Sequence, residues 1–245
     1  MSNLKLLIDA DITAYQATAG AEQEYEWDDD IWTIYTDLKE AKESFNYTVD
    51  KLRKETKIDE YTLCFSDSTN FRKAIYPEYK GLRKTRKPVG YTELKRWAME
   101  THPSFYKPTL EADDCLGILA TKFPGKVVIA TMDKDLLTIP GTVYKSKPDG
   151  TADMINVSEK EADYNFLMQA LTGDTTDNYK GCPGIGPKRA EALFKKHGAV
   201  WKTVEDAYLA AGLTKEDALV NARMARILRA SDYDFNKQEV ILWNP

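Results

Sequence analysis

Five apolar stretches of this chain stop at acidic residues, and that pattern limits the fold more than any other feature. They read L-L-I-D-A-D at Asp9, L-C-F-S-D at Asp67, T-L-E-A-D-D at Glu111, Asp113 and Asp114, V-V-I-A-T-M-D-K-D at Asp133 and Asp135, and L-T-G-D-T-T-D-N at Asp174 and Asp177. Acids at the carboxyl ends of several parallel strands converge in space in an open α/β sheet. Solvated surface charge explains any one of these acids. It does not explain five separate segments that end the same way.

The apolar runs at residues 4–10, 61–65 and 126–131 have strand length. Between them the period is helical. Residues 12–18 read as a short helix. Residues 33–57 place Ile34, Leu38, Ala41, Phe45, Val49 and Leu52 three or four apart. Residues 91–100 and 111–121 follow as helices, then a turn at 136–139 and a short strand at 143–145. Residues 19–32 are acidic and aromatic and take no assignment. Near Val157 the pattern changes. Ser158 with Glu161 fits a helix N-cap, and that helix runs to about Leu171. G-C-P-G-I-G-P-K-R-A is a glycine-rich hairpin feeding a helix, with Pro187 near its first position and Gly198 at its end. Residues 203–211 and 215–229 read as helices, and 240–243 as a returning strand. Strand–helix alternation followed by helices alone predicts an α/β domain over residues 1–157 and a helical region over 158–245.

A chain of 245 residues has ample length for a core. Its net charge of −5 argues weakly against a nucleic-acid partner, but the charge is unevenly spread. Residues 22–43 are strongly acidic. Residues 71–96 carry Arg72, Lys73, Lys80, Arg83, Lys84, Arg86 and Lys87 among Phe71, Tyr76, Tyr79 and Tyr91. Rings among cations suit bases and backbone phosphates. The three cysteines have no metal-type spacing and read as reduced thiols of a cytoplasmic protein. The two histidines have no obvious partner, so Ser-His or Cys-His chemistry has little support. No run is long enough to span a membrane, and residues 1–5 lead straight into a strand rather than a signal peptide.

Carboxylates without histidine or thiolate suit hard cations such as Mg²⁺ or Mn²⁺. Two such ions about 4 Å apart can clamp the attacking and leaving oxygens of a phosphodiester. Asp133 and Asp135 share a side if the strand end is extended. Asp174 and Asp177 share a side on a helical turn, as do Glu111 and Asp114. Lys80 and Arg83 are the natural counter-charge and can stabilise charge in the transition state. Gly184-Ile185-Gly186 at a helix start exposes N–H groups that bind phosphate without reading sequence, with Lys188 and Arg189 beside them.

Together these motifs resemble the flap endonuclease/5′-nuclease superfamily. The match runs through I-D-A-D, Y-K-G-L-R, E-A-D-D, T-M-D-K-D, G-D-T-T-D-N and P-G-I-G-P-K-R-A. A closer likeness, to the 5′-3′ exonucleases of short-tailed double-stranded DNA bacteriophages, rests on F-S-D-S-T-N-F-R-K, R-K-P-V-G-Y and the tail M-A-R-I-L-R…I-L-W-N-P. The resemblance implies a PIN-like, parallel-rich sheet flanked by helices, a basic helical arch at about 71–108, and a C-terminal helix–hairpin–helix. It implies two Mg²⁺ or Mn²⁺ ions at Asp9, Asp67, Glu111, Asp113, Asp114, Asp133, Asp135, Asp174 and Asp177. Lys80 and Arg83 become the catalytic, phosphate-facing pair. Arg72, Lys73, Tyr79, Lys84, Arg86, Lys87, Gly184, Ile185, Gly186, Lys188 and Arg189 become DNA contacts, with K⁺ at the hairpin. The implied substrates are duplex DNA with 5′ ends or flaps, and RNA in RNA–DNA hybrids. The implied setting is phage DNA replication, primer removal, recombination or host DNA degradation, carried out by a monomer in the host cytoplasm. The alternatives are a single-strand ribonuclease of PIN type and a non-catalytic duplex-junction binder.

Overall fold

The structure is a computed structural model and describes residues 4–82, 85–147 and 149–245. Strand β1 (Lys5–Asp9) is central, and its Leu6, Leu7 and Ile8 are fully buried. A strand covered on both faces reads as a continuous apolar run rather than an alternating one. Helix α1 (Ala10–Gly20) starts at once after Asp9. Residues 19–32, unassigned from sequence, belong largely to an antiparallel hairpin of β2 (Glu22–Asp28) and β3 (Ile31–Thr36). The predicted helix over 33–57 therefore loses its first turn. I-W-T-I-Y-T is rich in β-branched and aromatic residues, which favour a strand. Asp37 then caps α2 (Leu38–Thr56), its carboxylate accepting from Lys39 N at 2.8 Å and Glu40 N at 3.2 Å.

Strand β4 (Glu60–Cys64) follows, then the four-residue α3 (Arg72–Ile75), α4 (Tyr91–Thr101) and the two-residue β5 (Ser104–Phe105). Within the expected arch of about 71–108 the helices are α3 and α4, and the described residues between them are turns and loop. Pro77, Gly81 and Pro88 interrupt that stretch. Helix α5 (Ala112–Lys122) leads to β6 (Val127–Thr131), a 3₁₀ turn at Asp135–Thr138, β7 (Gly141–Ser146) and β8 (Ala152–Val157).

The sheet order is β5-β4-β1-β6-β7-β8. All pairs are parallel except β7 with β8. The chain leaves β1 toward β4 and β5, then crosses back to β6 on the other side. That reversal opens a crevice at the carboxyl ends of β1, β4 and β6. Side chains alternate across the sheet. Leu6, Ile8, Val128 and Ala130 meet α1, α2 and α4; Leu7, Val127 and Ile129 meet α5.

Beyond Val157 come α6 (Glu159–Thr172), α7 (Pro187–His197), α8 (Trp201–Ala210) and α9 (Lys215–Ala225), with a third core around Phe166, Phe194 and Tyr208. Ser158 and Glu161 form the expected capping box. Helix α9 stops at Ala225, short of the expected Arg229, because the next backbone groups bond elsewhere. Arg226 O accepts from Arg72, and Leu228 N donates to Asp114. That segment crosses α5 at Gly117, where a Cβ would lie 2.4 Å from Leu228 O. The predicted strand at 240–243 is a two-residue ladder of Glu239–Val240 with Tyr233–Asp234.

Candidate metal and nucleic-acid site

The crevice is a cleft of about 720 Å³ lined by Asp9, Asp113, Asp133, Asp135, Asp174 and Asp177, with Glu111 and Lys80 on one wall. Asp9 ends β1. Thr131, ending β6, donates to Asp9 Oδ2 at 3.3 Å and accepts from Asp133 N at 3.0 Å. Asp135 N then donates to Asp133 Oδ1 at 2.8 Å. The M-D-K-D segment is thus a turn into a 3₁₀ helix, not the extended strand end read from sequence. Each acid's carboxylate shapes the backbone that presents the next.

The Asp174–Asp177 segment is likewise no helical turn. Asp174 and Tyr179 exchange backbone hydrogen bonds of 2.9 and 3.0 Å, closing a tight loop, and Asp174 Oδ1 accepts from Thr176 N at 2.7 Å. Two glycines make this closure possible. Gly173 and Gly181 have φ of +67° and +65°, and a Cβ on either would come within 2.4 Å of the other's backbone nitrogen. The loop is fixed to the basic segment by Lys80 N, which donates to Asp177 O at 2.9 Å, and by Asn178 Nδ2, which donates to Glu78 O at 2.9 Å.

Electrostatics divides the acids. Burial pushes the Asp9 carboxyl up to about 7, and Asp11 and Asp133 add to the shift. Burial, Asp9 and Asp133 raise Asp113 well above the carboxylate range. Burial, Asp133 and Asp174 raise Asp135 to about 6. These are carboxylates crowded together without enough positive charge. Glu111 is the opposite case. Burial works against its charge, but Lys80 and Arg72 outweigh it and hold the carboxyl down at about 2. Lys80 Nζ pairs with Glu111 and stands 3.6 Å from Asp177 Oδ2. Burial opposes the charge of Lys80 too, and its acidic neighbours still raise its pKa.

Several expected site residues are engaged by partners within the protein. Asp114 is fully buried and outside the cleft. Its carboxylate takes both Nη atoms of Arg72 at 2.8 and 2.7 Å, and also the N–H groups of Glu111 and Leu228 at 3.1 Å each. Arg72, expected on DNA, is 2% exposed and also donates to Met224 O and Arg226 O. The two residues clamp α3, α5 and the end of α9 together. Tyr79 is buried, and its hydroxyl lies 3.0 Å from both Glu111 Oε2 and Asp177 Oδ2, so its ring is not offered to a base. Asp67 accepts from Ser68 N at 2.6 Å, Thr109 N at 2.7 Å and Thr69 Oγ1 at 2.7 Å. Thr109 N, with Tyr106, holds this carboxyl well below its usual range. It fastens a loop at the cleft's edge. Arg86 grips Glu22 at 2.6 and 3.1 Å. Lys73 is exposed on α3, and Lys87 lines the cleft over the Tyr91 ring. Arg83 and Lys84 lie outside the described residues.

The hairpin before α7 has Gly184 at φ +72°, braced by Arg189 Nη1 donating to Gly184 O at 2.8 Å. Ile185 packs inward on the third core. Gly186 is the N-cap of α7 at φ −91°, with open space where a Cβ would be, so of the pair Gly184 and Gly186 only Gly184 is left-handed. Lys188 and Arg189 are exposed in the first turn of α7.

Sequence reading passed over Asp11, Thr131 and Gln169. Asp11 accepts from Ser66 N at 2.9 Å, Tyr91 Oη at 2.8 Å and Lys95 Nζ at 3.4 Å, joining α1, the segment after β4 and α4 at the cleft wall. Its place in I-D-A-D was the available signal. Gln169 hydrogen-bonds Asp135 from the last turn of α6, where nothing in the sequence marks it.

Residues 5–164 match the family model of the 5′-3′ exonuclease N-terminal, resolvase-like domain. The chain belongs to the 5′-3′ exonuclease family. It is 30% identical to the exonuclease of Escherichia phage T7, over 98% of this chain and 93% of that protein. The fold is shared with the T5 D15 protein co-crystallised with metal ions, at a TM-score of 0.66 and 18% identity over 91% of this chain and 89% of that one. It is shared equally with the D15 flap endonuclease in complex with DNA and metal ions, at 0.65 and 16% over the same shares. Among the described residues of this 5′-3′ exonuclease, no helix is long and apolar enough to cross a membrane.

Proposed function

We propose that this chain hydrolyses duplex DNA from 5′ ends and at 5′ flaps, using two divalent metal ions, and that RNA in RNA–DNA hybrids is also a substrate. One observation carries the reading: acids from the ends of β1 and β6, the start of α5 and the 174–179 loop meet in one cleft, where burial and the neighbouring carboxylates raise the pKa values of Asp9, Asp113 and Asp135. The donor set is all oxygen, which fits Mg²⁺ or Mn²⁺. Among the described residues no three histidine, cysteine, aspartate or glutamate side chains are grouped closely enough to hold an ion by themselves. Mg²⁺ keeps several waters and needs one or two direct carboxylates, so the acids of this cleft would reach it partly through water. Asp9, Asp113, Asp133, Asp135 and Asp174 would hold the two ions between them, some directly and some through water. Bound there, the metal supplies an activated water and charge stabilisation of the phosphodiester.

The chain's own groups do the rest. Lys80 stands at the edge of the acid cluster, placed to meet the scissile phosphate as its charge grows. Glu111, with Tyr79 and Asp177 around it, fixes the ammonium in that position. Arg83 is carried into this proposal as its companion on the resemblance alone. The Gly184–Gly186 backbone and the N-terminus of α7 hold duplex phosphates away from the cut, with K⁺ at the same hairpin. Solved relatives in the presence of metal ions and DNA support the reading. A 5′-labelled duplex tests it. Mononucleotides or short oligonucleotides released from the 5′ end with Mg²⁺, and not with EDTA, are the expected result. Cleavage of single-stranded RNA alone favours the PIN-type ribonuclease, and binding without release favours the junction binder.

A further inference from the structure

The β2–β3 hairpin takes no part in the chemistry above. It carries six carboxylates, Glu22, Glu24, Glu26, Asp28, Asp29 and Asp30, and between Glu22 and Thr36 there is no lysine or arginine. It also holds Trp27 and Trp32 at 68% and 56% exposure, with Tyr25 and Tyr35 about half exposed. Exposed rings grouped in this way mark an interaction surface.

The arm is built rather than loose. Glu22 fixes its base by gripping Arg86 and accepting from Val89 N at 2.8 Å, while Thr36 Oγ1 donates to Val89 O at 2.5 Å. The register sets two faces. Glu24 opposite Ile34 and Glu26 opposite Trp32 make one. Tyr25 opposite Thr33 and Gln23 opposite Tyr35 make the other. Trp27 joins the second face, donating Nε1–H to Thr33 Oγ1 at 2.9 Å and meeting Tyr25 edge-on at 4.9 Å. A two-stranded ribbon is marginal by itself, yet here Tyr25, Trp27 and Tyr35 are held by contacts along the ribbon. Both outer strand edges lie outside any larger sheet among the described residues.

We propose that this hairpin is a docking arm for a partner protein that offers an extended, lysine- or arginine-rich segment. Charge complementarity selects the partner. Carboxylates pair with the cations, and the tryptophan and tyrosine rings take them by cation–π contact. A free edge accepts an added strand. Nucleic acid is disfavoured, because its phosphates meet six carboxylates and no cation on the arm. The arm's base adjoins Lys87 and Tyr91 at the cleft wall, so a docked partner sits beside the reaction.

The full chain is titrated with a fluorescein-labelled peptide of alternating lysine and valine, and separately with its glutamate–valine counterpart and with a ten-residue oligothymidylate. The five tryptophan indole signals are followed by NMR. The cationic peptide is expected to bind saturably and to shift Trp27 and Trp32 but not Trp97, Trp201 or Trp243. The Trp27→Ala/Trp32→Ala variant, with charge unchanged, should weaken that binding by ~10-fold or more. Glu24→Gln/Glu26→Gln should weaken it too, and both variants should cleave duplex DNA at the parent rate. Three outcomes overturn the proposal: no saturable binding, equal binding by the tryptophan variant, or tighter binding of the oligothymidylate with shifts at the same indoles. Loss of nuclease activity in the parent overturns the function above instead and leaves the peptide result standing.

Discussion

The carboxylates of the cleft and the carboxylate of Asp114, which follows one of them directly in sequence, behave in opposite ways. In the cleft, Asp9 is buried and Asp113 and Asp135 are half-buried near other acids, and their pKa values rise. One residue beyond Asp113, Asp114 sits in a knot where Arg72 meets it with two hydrogen bonds and two backbone N–H groups complete its shell. The helical turn of α5 separates the two fates, sending Asp113 to the crevice and Asp114 under the α9 terminus. A motif letter therefore does not assign a role. The cation that the fold places beside each carboxylate does. The cleft is short of positive charge and the knot supplies its own.

The widest separation should come from Asp135→Asn. Turnover should fall by ~10³-fold or more, the several kcal/mol that a metal-held charge contributes. Duplex binding by gel shift should persist. The melting temperature in EDTA should stay level or rise, since a like charge has been removed. Near-normal turnover at saturating Mg²⁺ contradicts the assignment. In the knot, Asp114→Asn should do the reverse. Leaving Arg72 buried and half-paired costs about 3–5 kcal/mol of unfolding free energy in urea. A melt unchanged from the parent removes Asp114 from the structural class.

Lys80 sits on the boundary and sharpens the comparison. Lys80→Ala should lower kcat by ~10²-fold while KM changes little, because the charge is needed as the phosphate develops its own. An effect confined to KM makes it a binding residue only. The smallest effect belongs far from both cleft and knot. Gly186→Val fits its φ of −91° and open surroundings, so stability should hold. Duplex affinity should drop several-fold, about 1 kcal/mol, for unrelated sequences alike. Unchanged affinity with an unchanged salt slope means the glycine only turns the chain.

Sequence made the sheet, the cleft acids and the capped helices legible, because strand-length apolar runs and punctuating aspartates are local signals. Asp9 and Asp133 could be placed together from apolar strands that stop at acids, and Asp113, Asp135 and Asp174 joined them through the motifs of the resemblance. The partners of Arg72, Tyr79 and Asp67 could not. Each is decided by contacts across long stretches of chain, such as Arg72 with the carbonyls after Ala222. The β3 strand was masked by a chance match of Ile34 to the helical spacing of α2. The turn that carries Asp133 and Asp135 was read as extended because side-chain-to-backbone hydrogen bonds, not periodicity, set it.

The central claim is that the cleft, and not the knot, awaits divalent cations. It is tested most directly by melting the parent and Asp135→Asn proteins across a Mg²⁺ titration without DNA. Binding only to the folded state should raise parental stability by about 1.4 kcal/mol when free Mg²⁺ reaches ten times its dissociation constant. Asp135→Asn should lose most of that rise. A parent whose melting temperature ignores Mg²⁺, or a variant that responds as fully as the parent, contradicts the account.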